Sequence, residues 1–223
     1  EGIDAFQVNP TTGNLTKTGH VDANVDSFAV DGSGNFLYLL SSPPSPGETL
    51  AVYAIDQSSG ALSPVTNLAP VTVSVFLGEY FMTISPGSGY LYVSDGHAKT
   101  VRMFQFDATK PALTEIMPPA PEPGTTFSLT FEPAGGFLYA VAGVDNVSLY
   151  SVSGTGALKP LASPTTATPV SIVAEPTGRF LYMRNFTAQT QPGYKLSSSN
   201  GALSQLPGTP LVVKGDLTIP GTY

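Results

Sequence analysis

The sequence contains no cysteine, only two histidines and few charged residues. Because cysteine is absent, the chain has no disulfide, no thiolate metal ligand and no cysteine nucleophile. Nine lysines and arginines against sixteen aspartates and glutamates give a formal net charge of −7, so no basic surface is expected to attract nucleic acid or an anionic membrane. No apolar run approaches the roughly 18 residues of a membrane span. We therefore expect no nucleic-acid partner and no membrane span.

Glycine and proline, by contrast, are abundant. The 223 residues include 23 glycines and 21 prolines, while 41% of the residues are hydrophobic and 11% are charged. This composition supplies a turn about every ten residues, which is typical of an all-β fold with little helix. Low charge with turns rich in Ser, Thr, Gly and Pro is common on secreted proteins, so we expect an extracellular, periplasmic or cell-surface location.

Two short markers recur along the chain. One is an aromatic residue followed by Leu and Tyr, and the other is in most copies Gly-Ala-Leu. Both recur at intervals of 43 to 54 residues but out of phase, which indicates that a whole structural unit is copied. The first marker is Phe36-Leu37-Tyr38, Tyr90-Leu91-Tyr92, Phe137-Leu138-Tyr139 and Phe180-Leu181-Tyr182, and the second is Gly13-Asn14-Leu15, Gly60-Ala61-Leu62, Pro111-Ala112-Leu113, Gly156-Ala157-Leu158 and Gly201-Ala202-Leu203.

Each unit contains four strand-like segments. In one unit they are residues 81–85, 90–94, 101–106 and 113–116, with a glycine turn between the first two. Alternation within residues 101–106 puts Val101 and Met103 on one face and Phe104 and Phe106 on the other, so we expect the sheet to be packed on both sides. Four antiparallel strands repeated around an axis predict a β-propeller, with a solenoid as the alternative.

The repeat runs from end to end, so we predict a single domain, 1–223. The opening segment, residues 1–18, has the pattern of third and fourth strands, and residues 211–223 resemble the start of a further first and second strand. Joined in one composite blade, these ends would make five blades and remove two exposed sheet edges. A fragment of a larger ring is the alternative. The four complete blades are predicted at about 26–66, 80–117, 126–162 and 170–206.

Proline clusters at residues 43–46 and 118–123 interrupt the strand pattern. Such clusters form polyproline II segments that partners recognise, or they stiffen a loop by lowering the entropy of the unfolded chain. We interpret both clusters as stiff loops.

Residues 89–95, followed by residues 100–104, resemble the YVTN-type repeat of the lactonase-like β-propeller family, as do residues 9–16 and 56–63. The resemblance covers nearly the whole chain and implies a propeller fold. It implies less about activity, because the family includes proteins similar to phosphogluconolactonases and muconate-cyclising enzymes together with non-catalytic surface proteins. Its members usually have seven blades, and no catalytic motif of the family can be placed residue by residue on this sequence.

Candidate site residues are sought on the face where second-to-third strand loops and inter-blade connections open. His20, Asp22 and Asp26 are predicted in one such connection and Glu79 in the next; both histidines fall on this face. We predict two sets of residues on this face, one for general acid–base catalysis on a lactone and one for ligand binding. The predicted catalytic set is His20, Asp26, Asp95, His97 and Arg184, and the predicted ligand-binding set is Asp22, Glu79, Lys99, Asp145 and Asn185.

Two functions follow from these residues. The first is a secreted or surface binding or scaffold module that holds a protein, small-molecule or carbohydrate ligand on the channel face. The second is a hydrolase of a lactone or related cyclic ester. A hard-cation site is a further use of the same carboxylates and imidazoles, and ordinary solvated loop residues are the simplest explanation. We predict neither a metal nor a cofactor.

Overall fold

The structure is a computed structural model that describes residues 2–41, 48–66, 68, 71–73, 81–87, 89–107, 112–143, 146–163, 169–185 and 188–212. Every regular element within these residues is a β-strand, and every pairing between strands is antiparallel. No helix in this part of the chain has the length and apolarity needed to cross a membrane.

The strands are short, as expected for a chain broken by frequent turns. They are β1 (Gly2–Val8), β2 (Leu15–Asp22), β3 (Val25–Val30), β4 (Phe36–Ser41), β5 (Glu48–Ile55), β6 (Leu62–Pro64), β7 (Val71–Val73), β8 (Met82–Ile84), β9 (Tyr90–Asp95), β10 (Thr100–Asp107), β11 (Ala112–Pro121), β12 (Thr126–Phe131), β13 (Phe137–Ala142), β14 (Asn146–Val152), β15 (Leu158–Pro160), β16 (Ser171–Ala174), β17 (Phe180–Arg184), β18 (Thr190–Gln191), β19 (Gly193–Leu196), β20 (Leu203–Gln205) and β21 (Leu211–Val212).

These strands form five successive sheets. Sheet 1 is β1 and β2, sheet 2 is β3 to β6 with β7 paired to β5, sheet 3 is β8 to β11, and sheet 4 is β12 to β15. Sheet 5 is β16, β17, β19 and β20, and the short pair of β18 and β21 continues its outer half. The first strands β3, β8, β12 and β16 contact one another in succession, so they lie nearest the common axis. The predicted all-β propeller of four-stranded antiparallel blades is confirmed.

The hydrophobic cores lie between sheets. One core joins sheets 2 and 3, a second joins sheets 3 and 4, and a third joins sheets 4 and 5. In β10, Phe104 faces sheet 2 while Val101 and Met103 face sheet 4, and all three side chains are almost fully buried. The alternation predicted for residues 101–106 is therefore confirmed, and sheets 3 and 4 are each stabilised by apolar burial on both of their faces.

The two sequence markers meet across the boundary between neighbouring sheets. The hydroxyl of Tyr92 donates a hydrogen bond to the carbonyl of Gly156 at 2.8 Å. A Cβ at Gly156 would lie 2.5 Å from the ring of Tyr90, and the backbone there has a φ of +78°. Glycine is thus required at this position both by its left-handed conformation and by the aromatic ring packed against it.

Two strand assignments made from the sequence were wrong. Strand β11 runs through its prolines to Pro121 instead of ending at Ile116; it is the outer edge of sheet 3, where a missing N–H removes no ladder bond on the solvent side. Leu211 and Val212 pair with Gln191 and Thr190, respectively, in the last sheet rather than starting a closing blade. Residues 213–223 lie outside the described residues, and the five-blade closure stays a prediction.

Candidate functional site

Because the strands are antiparallel, the loop between the second and third strands of a sheet lies at the same end as the connection to the next sheet. We call this end the loop face; in sheet 3 it consists of the turn 96–99 and the connection 122–125. The predicted residues His97, Lys99 and Asn185 belong to loops of this face, and Arg184 ends β17 beside it. Glu79 and Asp145 lie outside the described residues.

The turn that carries His97 and Lys99 is held by Asp95, the last residue of β9. Asp95 is buried, and its Oδ1 accepts a hydrogen bond from the backbone N–H of Ala98 at 2.8 Å. Lys99 has a φ of +53°, in the left-handed region, which closes the turn before β10 begins. His97 and Lys99 are both exposed. The turn therefore presents two hydrogen-bond donors to solvent on a defined backbone.

Sheet 5 repeats this turn. Asn185 is buried, its Oδ1 accepts from the backbone N–H of Ala188 at 2.9 Å, and Gln189 has a φ of +50°. Asn185 thus occupies the position of Asp95, and Gln189 that of Lys99. Both Asp95 and Asn185 place a side-chain oxygen on their own turn, a structural use that the sequence analysis did not anticipate.

The three residues predicted in the first inter-blade connection lie instead in strands. His20 and Asp22 belong to β2 and Asp26 to β3, so only residues 23–24 connect the two sheets. The physical reason is cross-strand pairing: His20 lies opposite Asp4 of β1, and its Nδ1 is 2.5 Å from Asp4 Oδ1. Its Nε2 is 3.0 Å from Asp22 Oδ1.

These carboxylates change the titration of His20. The hydrogen bonds to Asp4 and then to Asp22 raise the pKa of His20 above its usual value, and the bonds from Lys17 and then His20 lower the pKa of Asp4. Strand β2 contacts the outer strand β6 of sheet 2, whereas His97 lies on sheet 3. The two histidines are therefore separated by a whole sheet, and the catalytic role of the set stays a prediction.

A buried carboxyl that the sequence analysis missed lies just beneath the loop face. Glu122 follows β11, and its side chain lies between sheets 3 and 4. Its Oε2 accepts a hydrogen bond from Ser148 Oγ at 2.8 Å, and its Oε1 is 2.9 Å from the hydroxyl of Tyr150. Burial raises the pKa of Glu122 to about 7, against the opposing effect of Ser148 and Tyr150. The sequence signal, a glutamate between Pro121 and Pro123, was interpreted only as part of a stiff loop.

A groove of about 660 Å³ lies between sheets 4 and 5 towards the opposite end of the strands. Apolar side chains, among them Phe137 and Leu149, form most of its wall, with Ser151 and Asn200 among its polar residues. None of the described residues that line it is ionisable. Among the described residues no group of three or more His, Asp or Glu side chains is arranged to hold a metal ion.

Comparison with known proteins extends these observations. The profile of a protein family described as Lactonase, 7-bladed beta-propeller, matches residues 88–209, over half of the chain. Seven blades differ from the five that we predicted from the sequence. No curated protein matches the chain significantly.

Several solved structures share the fold at low sequence identity. A functionally unknown protein from Desulfotomaculum acetoxidans has a TM-score of 0.71 at 17% identity, over 94% of this chain and 64% of that one. The periplasmic gluconolactonase of Pseudomonas aeruginosa has a TM-score of 0.71 at 20% identity, over 90% of this chain and 61% of that one. A putative 6-phosphogluconolactonase from Bacteroides uniformis has a TM-score of 0.58 at 17% identity, over 91% and 76%. The chain thus spans less than two thirds of the length of the first two.

Proposed function

This chain belongs to the lactonase family of seven-bladed β-propellers, and on that premise we propose that it binds a small sugar acid or its lactone on the loop face. The observation that carries the proposal is the turn held by Asp95, which exposes His97 and Lys99 together. The same turn in sheet 5 begins beside Arg184. In a chain with only nine lysines and arginines, Lys99 lies in one copy of the turn and Arg184 directly precedes the other copy, on the same face.

Cationic and N–H groups suit a ligand that carries a carboxylate and several hydroxyls. A carboxylate accepts charge-assisted hydrogen bonds from Lys and Arg, which are stronger than bonds between neutral groups. The formal net charge of the protein is −7, which does not favour an anion. A local basic group is therefore needed to supply the complementary charge for an anionic ligand. A binding role requires only that these donors face the ligand, whereas catalysis also requires a base within hydrogen-bond reach.

Lactone hydrolysis is the second candidate. It is favoured by the family and by the fold shared with proteins named as gluconolactonase and putative 6-phosphogluconolactonase. In this alternative His97 would take a proton from water, and Lys99 or Arg184 would stabilise the oxyanion that forms on the lactone carbonyl. Asp95 is less suited to act as the base, because one of its oxygens is already bound to the backbone of Ala98.

We also propose that the protein works outside the cytoplasm, in the periplasm or on the cell surface. The chain has little charge, and one protein of the same fold is a periplasmic gluconolactonase. Secretion fits a function in which a sugar acid is captured or processed before uptake.

The test is titration of the purified protein with gluconate by calorimetry, and with glucono-δ-lactone by acid release at constant pH. Lys99→Gln is the sharpest variant, because Gln189 has the same backbone conformation in the matching turn. We expect gluconate to bind about tenfold more weakly, the loss of one charged contact, while Lys159→Gln on β15 changes nothing. Equal affinity in both variants, or no saturable binding, contradicts the proposal. Lactone opening above the spontaneous rate that His97→Gln abolishes would establish the second candidate.

A further inference from the structure

The hydroxyl oxygen of Tyr150 lies between two other oxygen atoms, one of Glu122 and one of Pro121. If Glu122 is ionised, this row of three oxygens contains too few hydrogens for two hydrogen bonds. The hydroxyl oxygen of Tyr150 lies 2.6 Å from the carbonyl oxygen of Pro121 and 2.9 Å from Glu122 Oε1. A tyrosine hydroxyl has one hydrogen, and both neighbours are acceptors when the glutamate is charged. One of these two short contacts would then join two oxygens with no hydrogen between them.

A protonated Glu122 satisfies every contact. Its Oε1–H donates to the Tyr150 oxygen, and Tyr150 in turn donates to the Pro121 carbonyl. The other oxygen, Oε2, accepts from the hydroxyl of Ser148 at 2.8 Å in either state. Glu122 and Ser148 are both buried and Tyr150 is almost fully so, so water does not offer an easy substitute for a missing donor.

Among the residues that the structure describes, no cationic side chain stabilises the charge of Glu122. Burial is the main cause that raises its pKa, and the only groups that oppose it are Ser148 and Tyr150 on β14. From the turn of sheet 3, Lys99 faces it with its backbone carbonyl, while Asp95 is bound to its own turn. Arg102 is paired with Glu115 and lies over the ring of Phe104, on the face of sheet 3 that packs against sheet 2.

The same residue is tied to the loop face. The backbone N–H of Glu122 donates to the carbonyl of Lys99 at 2.8 Å. A carboxylate that must gain water has to move outward from the interface, and this movement acts directly on the turn that ends at Lys99. We propose that Glu122 carries a proton in the folded protein, and that loss of this proton loosens the contact between sheets 3 and 4 together with the turn that bears His97 and Lys99.

The direction of the pH effect follows from linkage. The pKa of Glu122 rises on folding from 4.5 to about 7, so the folded state holds its proton where the unfolded state has released it. The stabilisation is fully present below about pH 4.5 and is lost as the pH rises through about 7. In Glu122→Gln, the amide N–H₂ donates to Tyr150 as the protonated acid does, and nothing titrates.

The experiment measures urea midpoints of the wild type and Glu122→Gln between pH 5 and 8.5. We expect the wild-type midpoint to fall across this window and the difference between the proteins to grow with pH. Glu132→Gln is the matched control: Glu132 is equally buried, but its oxygens accept backbone N–H groups from Ala134 and Gly136. We expect the urea midpoint of Glu132→Gln to change with pH as the wild-type midpoint does.

Two direct readouts keep the proposal testable if a variant folds poorly. The ¹³C shift of the Glu122 carboxyl in the wild type should titrate near pH 7, and the amide shift of Lys99 or Ala98 should follow with the same midpoint. A Glu122 carboxyl that titrates near its ordinary value, parallel midpoint profiles in wild type and Glu122→Gln, or turn amides that do not respond would each overturn the proposal. None of these measurements uses a ligand, so the outcome is independent of the proposed function.

Discussion

Asp95 and Asn185 occupy the same position in two copies of one turn, and each accepts the backbone N–H of the residue three places later, at 2.8 and 2.9 Å. An aspartate and an asparagine are thus interchangeable in this position as far as the backbone is concerned. The equivalence separates the structural role of Asp95 from a catalytic one.

Asp95→Asn is therefore expected to leave the fold intact and to leave ligand binding or lactone turnover within about twofold of wild type. Asp95→Ala removes the acceptor and is expected to destabilise the protein by about 1 kcal/mol, the usual net contribution of one hydrogen bond. Urea unfolding and the gluconate and lactone assays check both changes. Loss of turnover in a folded Asp95→Asn protein would make Asp95 a catalytic base after all.

Tyr139→Phe tests the contact that joins sheets 4 and 5. Tyr139 donates to the carbonyl of Gly201 at 2.6 Å inside the interface, so the variant leaves a buried carbonyl without its donor. We expect a loss of about 1–2 kcal/mol in the free energy of unfolding. Tyr90→Phe is the control, because the hydroxyl of Tyr90 is exposed and its bond to Gly154 is long, at 3.3 Å. Equal losses in the two variants would be inconsistent with a special role for Tyr139.

Gly156→Ala separates backbone strain from steric contact. Gly156 and Gly13 have nearly the same φ, +78° and +73°, but a Cβ at Gly156 would meet the Tyr90 ring at 2.5 Å, whereas Gly13 has nothing within 4 Å. In both variants the alanine must adopt a left-handed conformation, which destabilises the folded state by about 1 kcal/mol. Only in Gly156→Ala does the new Cβ also clash with an aromatic ring. We expect its thermal midpoint to fall clearly below that of Gly13→Ala. Matching midpoints would show that the ring moves aside at no cost.

Leu138→Ala measures the core between sheets 3 and 4. Leu138 is 0% exposed and belongs to that core, so truncation should cost about 2–5 kcal/mol. Leu15→Ala provides the comparison, because Leu15 is 63% exposed and should change the free energy of unfolding by less than about 0.5 kcal/mol. An unchanged denaturation midpoint for Leu138→Ala would contradict the assigned packing.

The His20 imidazole is expected to titrate above its ordinary pKa of 6.5, because Asp4 and then Asp22 favour its charged form. A folded pKa above the unfolded one contributes stability that is present below pH 6.5 and is lost as the pH rises through the folded value; the group is exposed, so this contribution is small. Asp4→Asn should lower the pKa of His20 in an NMR titration. An unaltered His20 titration would mean that Asp4 does not bind the ring in solution.

The fold could be predicted from the sequence because its signals are local and repeated. The alternation in β10 and the glycine turn before Tyr90 each depend on a few neighbouring residues. The same patterns recur in the other copies of the repeat. The path of β11 could not be predicted, because whether Pro118 breaks a strand depends on whether that strand is an edge. His20 was misplaced for a similar reason, since its cross-strand partner Asp4 is known only once the register is known.

The site was harder to predict than the fold. Loop polarity identified the right face for His97 and Lys99, but it could not show that the oxygen of Asp95 was already used by the backbone. Glu122 was missed because the feature that matters, burial against Ser148 and Tyr150 of the next sheet, comes from residues 26 and 28 positions away. A sequence pattern predicts which residues are exposed and how they are spaced along the chain. A shifted pKa depends instead on contacts that form only in the folded structure.

The hydrogen bonds from Tyr92 to the Gly156 carbonyl and from Tyr139 to the Gly201 carbonyl also affect how the number of repeats can change. Sheets 3 and 4 each contribute a tyrosine to the sheet that follows, and sheets 4 and 5 each contribute the receiving glycine. Sheet 4 therefore contains both halves of the joint, one for each neighbour. Duplication or deletion of such a module by recombination leaves a tyrosine facing a glycine at the new junction, so ring size can drift during evolution without any new interface having to be invented.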